Sequence, residues 1–200
     1  MKQITESDKN VMTDRHAAIL QTAERLFGEK GFRGVSIEEI AKAAGVSKGL
    51  VLYHFTSKKA LLEHVLRDGI TTILTGIDTS IQSGKLVRTK LRAVVEVHLS
   101  MLNSRPYLLR IAFFEGIFGE EIKDIVGAFS EEILVKIDGL VQEGIAKGEF
   151  KPGDSRIAAI MLLGMIIGLT LQATIQQQPL LSVGQMADEI TELFYQGLSP

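Results

Sequence analysis

A chain of 200 residues, 46% of them apolar, holds enough hydrophobic material for one large domain or for a small domain joined to a larger one. It contains no cysteine, which excludes a disulfide framework and any thiolate-ligated metal site and agrees with a reducing cytoplasm. The net charge of −2 hides an asymmetry: residues 1–67 carry 11 Lys/Arg against 8 Asp/Glu, net +3, and residues 68–200 carry 11 against 16, net −5. A mildly basic head on an acidic body is compatible with a phosphate-binding end.

Apolar residues recur at helical spacing along most of the chain and strand alternation is nearly absent, so the expected fold class is all-α. Residues 1–12 are polar, mixed in charge and lack an apolar run, and read as a flexible tail without a signal peptide. Helix 1 is expected to start at Thr13 or Asp14, to present Ala18, Ile19, Ala23, Leu26 and Phe27 as a stripe, and to end at Gly31. Helix 2 starts at Ser36, with Glu39 placed for a capping box, and ends at Gly45. Ser47 caps helix 3, which runs to about Phe55. These three helices form a head over residues 13–57. Ser57 caps helix 4, over 58–80, whose length takes it out of the head and into a body over 58–200. Further helices are expected at about 86–102, after Arg105-Pro106 as far as Phe118, at 120–147, at 157–175 and at 183–197. That makes about nine in all.

The stretch 157–175, IAAIMLLGMIIGLTLQATI, carries no charge over nineteen residues and includes Gly164-xxx-Gly168. It has the length of a membrane span. Gln172, Thr170 and Thr174 thin one end, and the flanks have neither an aromatic belt nor a Lys/Arg cluster. A helix apolar on all sides is equally explained by burial against neighbours and a partner subunit, and that is the expectation adopted, with no membrane partner.

Helix 2, a four-residue break and helix 3 have the spacing of a helix-turn-helix, which reads double-stranded DNA. Ile37, Ile40 and Ala41 turn one face of helix 2 inward, Ala44 permits close approach, Val46 plugs the turn, and Val51 and Phe55 hold helix 3 from beneath. Lys48, Gly49, Leu52 and Tyr53 then point away from the core, where a recognition helix meets base edges and phosphates. Lys48 can donate to guanine or phosphate, Gly49 permits close backbone approach, and Tyr53 and His54 have polar tips. Ser36, Ser47, Lys58 and Lys59 complete the candidate set at helix starts, where anions bind readily. Leu52 has two readings: a stray surface leucine, or apolar contact with a thymine methyl.

The segment SIEEIAKAAGVSKGLVLYHFTSKKALL, residues 36–62, resembles the signature of the TetR (tetracycline-repressor) family of bacterial regulators. With LQTAERLFGEKGFRGVS before it, the resemblance covers about residues 17–66, and EGIAKGEFKPGDSRIAA (143–159) resembles the turn before the penultimate helix of many members. The resemblance implies an all-helical homodimer with a C-terminal ligand-binding and dimerisation domain. Its two heads bind successive major grooves of a palindromic operator, and its last two helices form a four-helix interface. A small molecule entering the body tilts helix 4 and releases the operator, as expected of a repressor. It also implies DNA contacts at Ser36, Lys48, Gly49, Tyr53, His54 and Lys58. Leu52 stands where members often have tyrosine, so a phosphate contact there is lost or passes to Tyr53.

In the body, Val94, His98 and Met101 on one helix, with Phe113, Phe114, Phe118, Met161 and Met165, suit either an adaptable apolar pocket or plain core. An apolar effector is therefore expected. Gly164, Gly168, Leu171, Ile175, Ile190 and Phe194 on the two last helices are the candidate dimer interface, since both helices need burial that a two-fold partner supplies. There is no HExxH, GxSxG, Walker A or dinucleotide fingerprint, so neither enzyme activity nor a cofactor or metal is expected. The other reading of the whole chain is a helical protein-interaction or membrane-associated module that binds no DNA.

Overall fold

The structure, a computed structural model, describes residues 6–82, 86–117, 119–176 and 182–199. Nine helices are present among them, and no strand: α1 (Glu6–Lys30), α2 (Ile37–Ala43), α3 (Lys48–Phe55), α4 (Lys58–Ile81), α5 (Val87–Ser104), α6 (Pro106–Ile117), α7 (Lys123–Ala146), α8 (Ser155–Gln176) and α9 (Val183–Leu198). The all-α class with a helix-turn-helix head and a helical body is as expected. Two boundaries differ by three residues or more: α1 begins at Glu6, not at Thr13 or Asp14, so the stretch from residue 6 to 12 is helical, and α7 begins at Lys123, not at 120.

The head is built on local rules. Ser36, Ser47 and Ser57 are all N-caps: their hydroxyls accept from the amides of Glu39 (3.1 Å), Leu50 (3.1 Å) and Ala60 (3.0 Å). Only half of the expected capping box forms, because the Glu39 carboxylate turns to the Lys30 ammonium. Gly45 takes φ +68°, which a side chain at that position would resist, and so allows the chain to reverse between α2 and α3. Ile19, Ala23, Phe27, Ile40, Val51 and Phe55 close a buried core that Leu61 and Leu62 of α4 continue.

From there α4 runs into the body, where α5 packs against α4, α7, α8 and α9. Ion pairs also tie these elements: buried Lys90 with Glu143 (2.9 Å) joins α5 to α7, and Arg92 with Asp188 joins α5 to α9. The chain breaks at Arg105-Pro106, since proline opens a helix and cannot continue one, and α6 returns across α1. α8 has two faces. Ala158, Ala159, Leu162, Leu163, Ile166, Thr170 and Ala173 are buried, whereas Ile157, Ile160, Met161 and Ile175 are exposed. By length and composition it is the one helix, among the described residues, that could cross a membrane.

Candidate nucleic-acid interface and effector body

On the head, Ser36, Ser47, Lys48, Gly49 and Lys59 lie exposed at or near the starts of α2, α3 and α4, and Tyr53, in the last turn of α3, is 72% exposed. Val51 and Phe55, both fully buried, hold α3 to the core, and Lys48, Gly49 and Tyr53 are the residues of α3 that are exposed. Lys48 at the start of α3 pairs with Glu38 of α2, which lowers the Glu38 pKa through the hydrogen bond. Both side chains are more than half exposed, so water competes for the pair and it is weak.

Three residues of the expected set are placed differently. Leu52 is not a free surface leucine: it is half-buried and packed against the hydrophobic core, beside the fully buried Val51. Lys58 turns inward, its ammonium donating to the carbonyls of Phe32 and Val35 (2.9 Å each) and lying 4.3 Å from the Phe32 ring centroid. It ties the loop before α2 to the start of α4. His54 is half-buried, edge-on to Tyr53 and to His16 of α1, and its Nε2 finds no hydrogen-bond partner among the described residues. His16 packs on Phe55 (4.8 Å between centroids), and burial, then the neighbouring His54 and His64, lower its pKa.

In the body, Val94, His98 and Met101 are buried on α5. His98 stacks on Phe129 of α7 at 6.5 Å, its Nδ1 finds no hydrogen-bond partner among the described residues, and burial pushes its pKa down to about 4. It is therefore neutral at pH 7. Phe113 and Met165 are half-buried against the core. Phe114 faces the opposite way, into a cleft with Phe27, Lys30 and Arg110 between α1 and α6. Met161 lies on the bare outer face of α8, 62% exposed, away from the interior. Phe118 lies outside the described residues. The structure thus brings Val94, His98 and Met101 onto one buried stretch of α5, but does not join Phe114 or Met161 to them.

Of the expected dimer residues, Gly164, Gly168 and Ile175 are exposed and Leu171 is half-buried. A Cβ added at Gly164 or Gly168 would meet nothing within 4 Å. Ile190 and Phe194 turn inward instead, 5% and 6% exposed within the protomer, because α9 spends its apolar face on α5. The exposed apolar residue of α9 is Leu193.

Residues 19–65 match the profile of bacterial regulatory proteins of the tetR family, and residues 84–171 match that of the tetracyclin repressor-like C-terminal domain. The chain belongs to the TetR family. It is accordingly a helix-turn-helix, DNA-binding transcriptional regulator. Among curated proteins it is similar to the fatty acid metabolism regulator protein of Bacillus subtilis (strain 168), with 24% identity over 186 residues, 92% of this chain and 95% of the relative. Among solved structures, FadR of Bacillus subtilis in complex with stearoyl-CoA superposes with a TM-score of 0.79 at 24% identity, covering 91% of this chain and 98% of that one. AibR in complex with isovaleryl coenzyme A and operator DNA superposes with a TM-score of 0.74 at 22% identity, covering 90% and 98%.

For this TetR-family chain, the sequence left one group of residues unremarked. Arg105 at the α5–α6 corner donates to Glu24 of α1 (3.0 Å from Nε) and to Asp68 of α4 (2.7 Å). Burial works against its charge, but the bonds and charges of Glu24 and Asp68 outweigh that and raise its pKa. One sequence signal was available: Glu24 is a carboxylate inside the apolar stripe of helix 1, next to Ala23, where a buried charge requires a partner. Among the described residues no cluster of three or more His, Asp or Glu could hold a metal ion.

Proposed function

We propose that the chain is a homodimeric cytoplasmic repressor that binds a palindromic operator and is released by an acyl-CoA. The observation that carries this is the exposed face of Lys48, Gly49 and Tyr53 on a head continuous, through α4, with an apolar helical body. In the DNA-bound state Tyr53 and Lys48 meet the major groove and the exposed amides behind Ser36 and Ser47 meet phosphates. The effector class is suggested by the similar FadR and AibR structures, both solved with acyl-CoA ligands. On this reading the acyl chain enters the body's core at Val94, Met101, Phe113 and Met165, and His98 Nδ1, which has no hydrogen-bond partner among the described residues, supplies a polar point for a carbonyl group. The ligand acts by binding the DNA-free conformation better, so that the population leaves the operator.

The bare face of α8, from Ile157 through Ile160, Gly164 and Gly168 to Ile175, together with Leu193 of α9, is the surface for the second protomer. Small residues at a four-residue spacing let two α8 helices approach closely, and a two-fold axis places the same face on both. The same helix keeps a membrane-associated reading alive through its length and hydropathy. Binding of the purified protein to the DNA upstream of its own coding sequence, with and without stearoyl-CoA, tests the proposal. Specific binding that stearoyl-CoA reverses supports it. Sedimentation with liposomes and no DNA binding would favour the membrane reading.

A further inference from the structure

We propose that His16 of α1 is a positioning residue for DNA reading, the support under the last turn of α3, and that its titration makes DNA binding acid-sensitive. The proposal rests on the DNA-binding reading of the head and on no effector. The last turn of α3 carries exposed Tyr53 and closes at Thr56, whose amide donates to the Leu52 carbonyl at 2.9 Å. The rings of this turn lean on α1 at His16. The His16 imidazole packs on Phe55 at 4.8 Å between centroids and meets His54 edge-on at 5.5 Å. His54 in turn meets Tyr53 edge-on at 5.4 Å, so a row of rings runs from α1 to the reading side chain. His64 of α4 closes the group, edge-on to Phe55 at 5.3 Å and held to its own helix by donating from Nδ1 to the Ala60 carbonyl.

The row suits neutral imidazoles. His54 Nε2 is buried with no hydrogen-bond partner among the described residues, and an imidazolium, which has two N–H donors, would leave one of them unsatisfied there. For His16, burial first, and then the charges that His54 and His64 can carry, hold the pKa below the ordinary imidazole value, with Asp68 of α4 opposing them. The groove beside His16 is formed by α1 and α4, and its other charged members are Arg67 and Asp68. The Asp68 carboxylate already accepts from Arg105 of the α5–α6 corner at 2.7 Å, so it gives a His16 cation only partial relief. Among the described residues, neither α2 nor α6, which also pack on α1, brings a charged group to that groove. The fold therefore favours neutral His16. Its support is fully present above pH 6.5, the ordinary imidazole value, and is lost as pH falls below it toward the lowered folded value. A His16 cation that leaves the row takes away the prop of His54 and Phe55, and Tyr53 with them is no longer held for the groove.

The experiment uses the full-length wild type, H16A and H16F, with a duplex that the wild type selects from a random-sequence library at about pH 7.5. Fluorescence anisotropy gives the DNA Kd at about pH 7.5 and about pH 5.5 at fixed ionic strength, and circular dichroism shows whether each variant is folded at both. H16A removes the ring and is expected to bind about fivefold more weakly at either pH. H16F puts back a ring that cannot titrate, and is expected to recover most of what H16A loses. Relative to H16F, the wild type should weaken by about threefold or more on going to the lower pH. Coupling is reciprocal, so the NMR titration of the His16 imidazole should move to lower pH when the duplex is bound. If H16A does not fold, the profile of H16F against the wild type and the His16 titration decide. The proposal is overturned if H16F and the wild type share one pH profile, if folded H16A binds as tightly as the wild type, or if the His16 titration moves to higher pH on DNA. Selection of no duplex at all would instead bring down the DNA-binding reading, and this proposal with it.

Discussion

Lys48 and Lys58 both stand near helix starts on the head, yet they have different surroundings. Lys48 is exposed with one exposed partner, Glu38, whereas Lys58 is held by two carbonyls and an aromatic ring. Replacing Glu38 by glutamine frees Lys48 and removes a negative charge facing phosphate, so DNA affinity should rise roughly two- to fivefold, measured by anisotropy at fixed salt. Lys58→Ala should instead cost stability, about 2–3 kcal/mol in urea denaturation, because two charge-assisted bonds are lost. The three serine caps were legible in the sequence because a cap speaks to an amide three residues on. The place of Lys58 was not, because its partners lie 23 and 26 residues away. His98 has a further consequence. Its pKa is about 4 when folded, against the ordinary imidazole value of 6.5, so the unfolded chain binds the extra proton first. The stability held above pH 6.5 is lost as pH falls toward 4, on the order of 3 kcal/mol. The variant His98→Leu should show a flatter profile than the wild type between pH 6.5 and 4.5. An equal slope in both would remove His98 as the cause.

Among the elements, α8 shows what periodicity conveys and what it hides. Its sequence is apolar on all sides, so the stripe that packs inside and the stripe that stays bare look alike. Only the packing of its neighbours, α7 foremost and α5 and α6 with it, separates Leu162 and Ile166 from Met161 and Gly164. The same limit misplaced Ile190 and Phe194, which a two-fold partner and the protomer's own α5 could claim equally on sequence grounds. Helix existence, by contrast, was legible for every element, since each is bounded by a serine, glycine or proline signal. Under the dimer proposal, Ile160→Glu should leave the helical circular dichroism unchanged while light scattering falls from the dimer mass to the monomer mass. A dimer that survives the charge would place the interface elsewhere. Gly28→Ala probes another close approach, that of Tyr107. There the obstacle includes backbone, so the thermal midpoint should drop by several degrees, whereas Gly139→Ala, with open space around it, should not.

Over the whole molecule, the charge asymmetry read from the sequence matches the division of labour. The basic third carries the exposed face of Lys48, Tyr53 and Lys59, and the acidic remainder carries the apolar interior. What the sequence could not convey is the joint between them. Arg105 is 81 residues from Glu24 and 37 from Asp68, and no local pattern announces a triad assembled by three helices. On the proposed function, one chain both reads DNA and gives it up to an apolar ligand. Its most direct test is anisotropy titration of a labelled duplex from the gene's own upstream region, in low salt, first without and then with saturating stearoyl-CoA. Tight, salt-sensitive binding that weakens by at least about tenfold with the ligand is expected. Failure of the ligand-free protein to bind that duplex or any other genomic fragment would contradict it.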